Sequence, residues 1–520
     1  THLTNNHVPL SGLLGDYLVV TLARCGDPEE ALLTSYKLPF RTVFSWTAII
    51  SSYSDDSLGL DALRIYRLMQ QDGIQPDRYT FVALLKSCGI ASDLLQGMDL
   101  HSDAICRAFT LDVFVVSSLI NMYGKCDAIP EAEDVFLRCP NHLRNVVCWN
   151  AMLSAYLEAG YAEKAFQLFV EMQDEDGLLP YYLTIVIILQ ACTFIAEKWK
   201  DKGILLEIGR GLHAYARRNG FESNELIGST LVNMYGKCGV IQEAEHVFLF
   251  LPEPTLVSWT AMLSAYIDLG YPIKVLQLYH HLENMNMTWD HVTLTCILQA
   301  CSATGSLETC KQLHFGIVYA NYEDISPVAS TLIHAYGSCA NMADGQAIFD
   351  GISEPTIVVW NACIAGHVGD QDPFSCLYMF EKLQLVGIFP DGVTFNSVIS
   401  ACSHSGHVAE GIGYFQSMNK WYGLNPDVKH YGSILDLVGR AGHFEKAMVL
   451  IEEVLPFNRF QLLLALLAAC RQWINLDLGR WIFQHLEQLD GDNAAAYVCI
   501  SNIYAGVHMQ DEVNDDEEVK

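Results

Sequence analysis

Four tryptophans recur along the chain at near-equal intervals, each inside nearly the same phrase: Trp46 in VFSWTAIISSY, Trp149 in VVCWNAMLSAY, Trp259 in LVSWTAMLSAY and Trp360 in IVVWNACIAGH. The intervals are 103, 110 and 101 residues. Between them a second phrase returns, LINMYGKC at 119–126, LVNMYGKC at 231–238 and LIHAYGSC at 332–339. A sustained period of this kind excludes one globular core and requires stacked units, each packed on its neighbours.

Composition agrees with such a stack. Of 520 residues 51% are hydrophobic and 17% charged, enough apolar surface for a continuous core. Many of the seventeen cysteines fall at matching places (Cys88, Cys126, Cys192, Cys238, Cys301, Cys339, Cys402), so they read as small, reduced packing residues and not as a disulfide framework. The longest apolar run, Tyr181–Ala196, is broken by Thr184, Gln190 and Thr193 and falls where other units place a helix, so no membrane span is expected.

The 101-residue interval after Trp259 divides into 256–290, 291–325 and 326–356. Each unit carries two amphipathic segments. In 256–290, Trp259, Met262, Leu263 and Tyr266 share one helical face, Gly270 stops that helix, and Pro272 starts PIKVLQLYHHLENM. Neither helix can bury its stripe alone. The expected fold is all-α: a right-handed solenoid superhelix of stacked antiparallel helix-turn-helix repeats.

Units of 35, 35 and 31 residues in that order resemble the P, L and S motifs of plant-type pentatricopeptide repeat proteins of the PLS class. On that resemblance 1–11 is the end of a preceding repeat, and the array spans 12–356, with units 12–42, 43–77, 78–112, 113–145, 146–181, 182–224, 225–255, 256–290, 291–325 and 326–356. A final triplet occupies 357–459 (357–391, 392–427 and 428–459). E-like motifs come next at 460–513, the second incomplete, and 514–520 is an acidic tail. The unit 182–224 has about eight extra residues near Glu197–Gly203, expected as a loop between its helices. The missing end of the second E-like motif is expected to leave Tyr497, Val498, Ile503 and Tyr504 uncovered, and there is no DYW deaminase domain in the chain.

The resemblance implies a reader of single-stranded RNA at about one base per repeat. It assigns selection to the fifth and last residues of each unit. Carried over, the pairs are Thr47 with Asp77, Ser117 with Asn145, Asn150 with Tyr181, Thr260 with Asp290, Asn361 with Asp391, and Asn396 with Asp427. The family rule reads Thr–Asp as guanine, Ser–Asn as adenine and Asn–Asp as uracil, giving G, A, G and then U in 5′-to-3′ order. Asn150 with Tyr181 departs from the rule, as do Ser229 with Thr255 and Ser330 with Thr356. Ser, Thr and Asn at these places are also ordinary helix caps. The tryptophans, on the apolar stripe, are expected in the core and not against bases.

Charge opposes this reading. Thirty basic against sixty acidic residues give −30. Arg24, Lys125, Lys237 and Arg440 all occupy the thirteenth place of their units, where cations suit a helix C-terminus and a phosphate. The same place in three tryptophan units holds Asp55, Glu158 and Asp268. Acids of the second helices, such as Glu131, Glu133 and Glu243, are expected on a solvated outer face, screened beyond about 10 Å. Mg²⁺ or a basic partner would help RNA to bind.

No catalytic site is expected. His281-Leu-Glu283 and His485-Leu-Glu487 match half of a zinc deaminase motif, but the chain has no CxxC to complete it, so neither a metal nor another cofactor is assigned. His404 and His407 read as a polar turn. The resemblance therefore implies an organellar site-recognition factor for C-to-U RNA editing, in a mitochondrion or chloroplast, with a deaminase or other editing-complex protein as partner. Transcript stabilisation or processing is one alternative. A protein-binding scaffold, favoured by an acidic face, is another.

Overall fold

In a computed structural model the protein is described over residues 13–505, except 56–57, 141–142, 175–177, 200–201, 284–288, 444–445, 448–459, 461, 465, 468–469, 471–475 and 490–493. The expected segment 1–11 and the acidic tail 514–520 lie outside these residues, as do the ends of the last repeat and of the second E-like motif. Among the described residues the chain is helical throughout, with no strand. It forms two compact bodies, 1–269 and 270–520.

Within each body the units are helix pairs. Unit 43–77 gives helices Val43–Asp55 and Gly59–Gln71; unit 357–391 gives Ile357–Gly369 and Pro373–Leu385. Inside one body, a first helix packs on its own second helix and on the first helices beside it, so first helices form a row with second helices behind. Short polar residues begin the helices: Asp77, Asn145, Asn224, Asp290 and Asp391 each accept backbone N–H bonds that the first turn would otherwise leave open. Gly160 and Gly270 end the first helices of their units in left-handed conformation (φ 79° and 75°); in the last tryptophan unit Gln371 takes it (φ 58°).

The units containing the tryptophans are called tryptophan units below, those after them middle units, and the 31- to 33-residue ones short units. Trp46, Trp149, Trp259 and Trp360 are all buried. Three of them meet a phenylalanine from the second helix of the preceding short unit edge-to-face: Phe136 with Trp149 at 5.0 Å, Phe248 with Trp259 at 4.5 Å and Phe349 with Trp360 at 4.6 Å. At the same junctions backbones approach closely. A Cβ on Gly124, Gly236 or Gly337 would lie 2.7, 2.5 or 2.6 Å from Ala155 Cβ, Ala265 Cβ or Gly366 Cα. Only glycine permits that spacing.

Two expectations need correction. Most of the extra residues of unit 182–224 do not lie in a loop between its helices, and residues 200–201 of that connection lie outside the described residues. Both helices are lengthened: Tyr182–Lys198 has 17 residues against 14 in Arg78–Ala91, and Gly203–Arg218 has 16 against 13 in Leu94–Cys106. The added residues begin at Ala196, which is buried beside Ile195, so helix extension gives it a core to join. Ile503 is also not uncovered. It is fully buried in a cluster with Leu435, Val438, Ile482, Leu486 and Ile500, while Tyr497, Val498 and Tyr504 are exposed as expected. No helix among the described residues is long and apolar enough to cross a membrane.

Candidate nucleic-acid interface

Each proposed fifth-place reading residue sits one turn into a first helix, each last-place one precedes the next first helix, and their contacts depend on the unit type. In the first tryptophan unit, Thr47 Oγ1 is 2.7 Å from Thr80 Oγ1. Thr80, the third residue of the next unit, gives its hydroxyl proton and its backbone N–H to Asp77 Oδ1, at 2.9 and 2.8 Å. Fifth and last residues are thus joined through a third side chain. In the last tryptophan unit the joint is direct as well. Asn361 Nδ2 lies 3.0 Å from both Asp391 oxygens, and Thr394 Oγ1 lies 2.6 Å from Asn361 Oδ1 and 3.0 Å from Asp391 Oδ1. In unit 146–181 Thr184 donates to Asn150 Oδ1 at 2.8 Å and accepts the Tyr181 N–H at 3.2 Å. The Tyr181 ring lies over against Tyr182 and Phe221.

Thr260 belongs to the first body, half-buried, with its hydroxyl donating to Leu256 O at 2.8 Å. In the second body Asp290 caps Thr293, accepting its N–H at 2.8 Å and its hydroxyl at 2.6 Å.

The short units behave differently. Ser117, Ser229 and Ser330 each donate to the carbonyl three residues back, Phe114, Leu226 and Pro327, all at 3.1 Å. Asn145 is exposed and spends its oxygen on the N–H groups of Val147 and Cys148, at 2.9 and 3.3 Å. Thr356 pairs with Ser326 at 2.8 Å. Among the described residues no hydrogen bond joins Ser117 to Asn145. In the middle unit 392–427, Asn396 accepts from Ser433 at 2.8 Å. Asp427 instead holds His430, 2.6 Å from its Nδ1, and His430 Nε2 donates to Gly392 O at 2.7 Å. Burial alone would raise the Asp427 carboxyl, but the bonds from His430 and the Lys429 amide hold it below its ordinary range.

The four thirteenth-place cations divide evenly. Arg24 is exposed and lines a groove of about 630 Å³ with Phe44, Thr47, Asp55, Asp77 and Tyr79. Lys125 is exposed, near Glu158, with no ion pair among the described residues. Lys237 is held 3.0 Å from Glu197 and 2.9 Å from Asp268; burial would lower its ammonium, but these two carboxylates win and raise it. Arg440 pairs with Asp436 on its own helix at 2.8 Å. His485 donates to Trp481 O in its own helix at 2.8 Å, while the side chains of His281 and Glu283 lie outside the described residues.

Sequence reasoning missed two features. The first is the third-place threonine, Thr80, Thr184, Thr293 and Thr394, each fully buried. It was visible as one residue type at one place in four units. The second is an exposed apolar residue at the second place: Phe44, Tyr79, Phe114, Val147, Leu183, Leu226 and Val257 in the first body, Val292, Val358 and Val393 in the second, between 40 and 67% exposed. Second and fifth places are three residues apart on a helix and so share a face. In these ten units an apolar surface thus stands beside the fifth place, of the kind on which a flat ring stacks.

Known proteins show the same architecture. Residues 41–89 and 144–193 match the PPR repeat family, and residues 114–140, 257–287 and 393–421 match the PPR repeat. A pentatricopeptide repeat-containing protein of Arabidopsis thaliana is 30% identical over 499 residues, covering 96% of this chain and 70% of its own. A second from the same plant, named as mitochondrial, is 31% identical over 502 residues, covering 96% and 70%. A third, named as chloroplastic, is 30% identical over 498 residues, covering 96% and 60%. The crystal structure of the maize pentatricopeptide repeat protein PPR10 matches with a TM-score of 0.51 at 18% identity, over 96% of this chain and 77% of that one. The same protein in complex with an 18-nt psaJ RNA element matches at 0.51 and 15%, over 97% and 84%. At these identities the structural likeness carries the fold.

Proposed function

This chain belongs to the pentatricopeptide repeat family, and from that premise we propose that it binds single-stranded RNA sequence-specifically in a mitochondrion or chloroplast, one base per unit. The observation that carries this is the joined fifth and last residues of two tryptophan units: Thr47 through Thr80 to Asp77, and Asn361 to Asp391. A side chain held in this way, Thr47 by Thr80 and Asn361 by both Asp391 and Thr394, presents a fixed donor and acceptor pattern, which is what discrimination between base edges needs. The apolar second-place residues would flank the bases, and the exposed heads of Arg24 and Lys125 would meet phosphates. On this reading the family rule gives G at Thr47–Asp77, A at Ser117–Asn145, G at Thr260–Asp290 and U at Asn361–Asp391, with Asn396–Asp427 showing the uracil pattern.

The finer role is recognition of C-to-U editing sites with a deaminase acting in trans. It is supported by the E-like segment, whose described residues pack onto the end of the array through Leu435, Val438, Leu466 and Ile503. The test is binding of the chain to a randomised RNA pool at about 0.15 M salt with Mg²⁺, a salt range in which non-specific phosphate binding is weakened. Enrichment of G, A, G and U in order is expected, and Asn361→Thr should move only its own base from U toward G. A folded protein that enriches nothing would sink the RNA reading and leave a protein-binding scaffold. An altered base elsewhere in the motif would remove the code assignment.

A further inference from the structure

The family rule assigns selection to two residues per unit, but at three junctions between a tryptophan unit and a middle unit a third residue bonds to both. We propose that the buried threonine near the start of three of the four middle units (Thr80, Thr184 and Thr394) is a positioning residue for base selection, so that unit 146–181 discriminates among bases even though its last residue is Tyr181. This rests on the proposed RNA binding.

Proton supply decides what each side chain can present. A threonine hydroxyl has one proton to give and lone pairs to receive, whereas a carboxylate only accepts. Thr80 gives its proton to Asp77, so Thr47 must donate to Thr80. Thr47 then turns an acceptor outward. At the second junction Thr184 receives the Tyr181 N–H and gives its proton to Asn150 Oδ1. That pins the carboxamide oxygen, fixes which way the plane faces and leaves Nδ2 to turn outward as a donor. No carboxylate is needed. At the third, Thr394 holds Asn361 Oδ1 at 2.6 Å while Asp391 takes Nδ2. The same buried hydroxyl therefore makes a fifth-place threonine an acceptor and a fifth-place asparagine a donor.

The chain contains its own contrast. Where a middle unit meets the last repeat, His430 stands at the third place; it binds Asp427 and Gly392 O, and Asn396 turns to Ser433. Fifth and last residues are uncoupled there. In the short-to-tryptophan junctions the third place holds Ser45, Cys148, Ser258 or Val359, all buried, and the fifth-place serines fold back on their own helix.

The test uses the whole chain, wild type, Thr184→Val and Thr184→Ser, each bound to the randomised RNA pool, with melting curves alongside. The base facing Asn150 lies three nucleotides from that facing Thr47, at one base per unit. Wild type should select at that position. Valine, equal in shape but without the hydroxyl, should reduce that selection about fivefold, the usual effect of one hydrogen bond, and leave neighbouring positions unchanged. Serine should restore it. A role in folding alone would lower the melting temperature and all positions together, and Thr394→Val should repeat the local effect at the base facing Asn361. Unchanged selection in Thr184→Val, no selection at this position in wild type, or failure of serine to rescue would each overturn the inference while RNA binding stands. Absence of selection at every position would overturn RNA binding and this inference with it.

Discussion

Of the three kinds of junction that recur along the array, two contrast sharply. Where a short unit meets a tryptophan unit the contact is apolar and close. Trp149, Trp259 and Trp360 lie edge-on to Phe136, Phe248 and Phe349, and Gly124, Gly236 and Gly337 bring backbones to a spacing that excludes any larger residue. Where a tryptophan unit meets a middle unit the distinctive contact is polar: Thr80, Thr184 and Thr394 tie each reading position to the neighbouring middle unit. The first kind holds the stack together; the second orients what faces the proposed RNA. Structure and specificity are divided between junctions in one repeat, which explains how fifth residues can vary between Thr and Asn without disturbing the core.

If the division is right, damage to the first kind should cost stability out of proportion to selectivity. Trp360→Ala is the largest expected effect. It removes a fully packed indole from Phe349 and should lower stability by about 3–5 kcal/mol in urea titration of the second body's transition. Trp360→Phe should cost less, because the indole N–H makes no hydrogen bond among the described residues. A loss below about 1 kcal/mol for the alanine variant would mean that the tryptophan is not part of the core.

Gly337→Ala comes next. Its new methyl would lie 2.6 Å from Gly366 Cα and 3.1 Å from Gly366 O, both backbone atoms that cannot swing aside. A loss of about 1–3 kcal/mol is expected. Gly316→Ala, in a helix of the preceding middle unit with no atom within 4 Å of the added carbon, is the matched control and should stabilise by up to about 1 kcal/mol through helix propensity. Equal effects of the two would show that the junctions are not close-packed.

Much of this was legible in the sequence, and the gaps have physical reasons. The tryptophan phrase carried the fold because a 3.6-residue apolar stripe and a constant period admit few architectures. The pairs Thr47–Asp77 and Asn361–Asp391 were legible through family resemblance. Their threonine partners were not, because Thr80 or Thr394 three residues after an Asp looks like an ordinary capping box, which each also is. That the same hydroxyl reaches a residue 33 positions back depends on how adjacent first helices pack. The helix extension at 196–198 was hidden because length alone does not say whether added residues loop out or lengthen a helix. The likeness of Lys125 and Lys237 in sequence likewise concealed a difference in their neighbours.

That difference gives the smallest and most discriminating prediction. Both lysines lie in the last turn of the first helix of a short unit, beside an acid of the adjoining tryptophan unit, Glu158 or Asp268. Lys237 has gained a second carboxylate, Glu197, from the lengthened helix before it, so its ammonium is already matched. Lys125 has no such partner among the described residues. A cation that meets an RNA phosphate releases a counterion, and each such contact to a single strand contributes about 0.7 to the slope of log affinity against log salt. Lys125→Ala should reduce the slope by about that amount, equally for every RNA sequence. Lys237→Ala should change it by less than half as much, because the ion held by two carboxylates has no phosphate counterion to exchange. Equal reductions would mean that the Glu197–Lys237–Asp268 cluster opens when RNA binds, and that the short-to-tryptophan junctions take part in binding as well as in holding the stack.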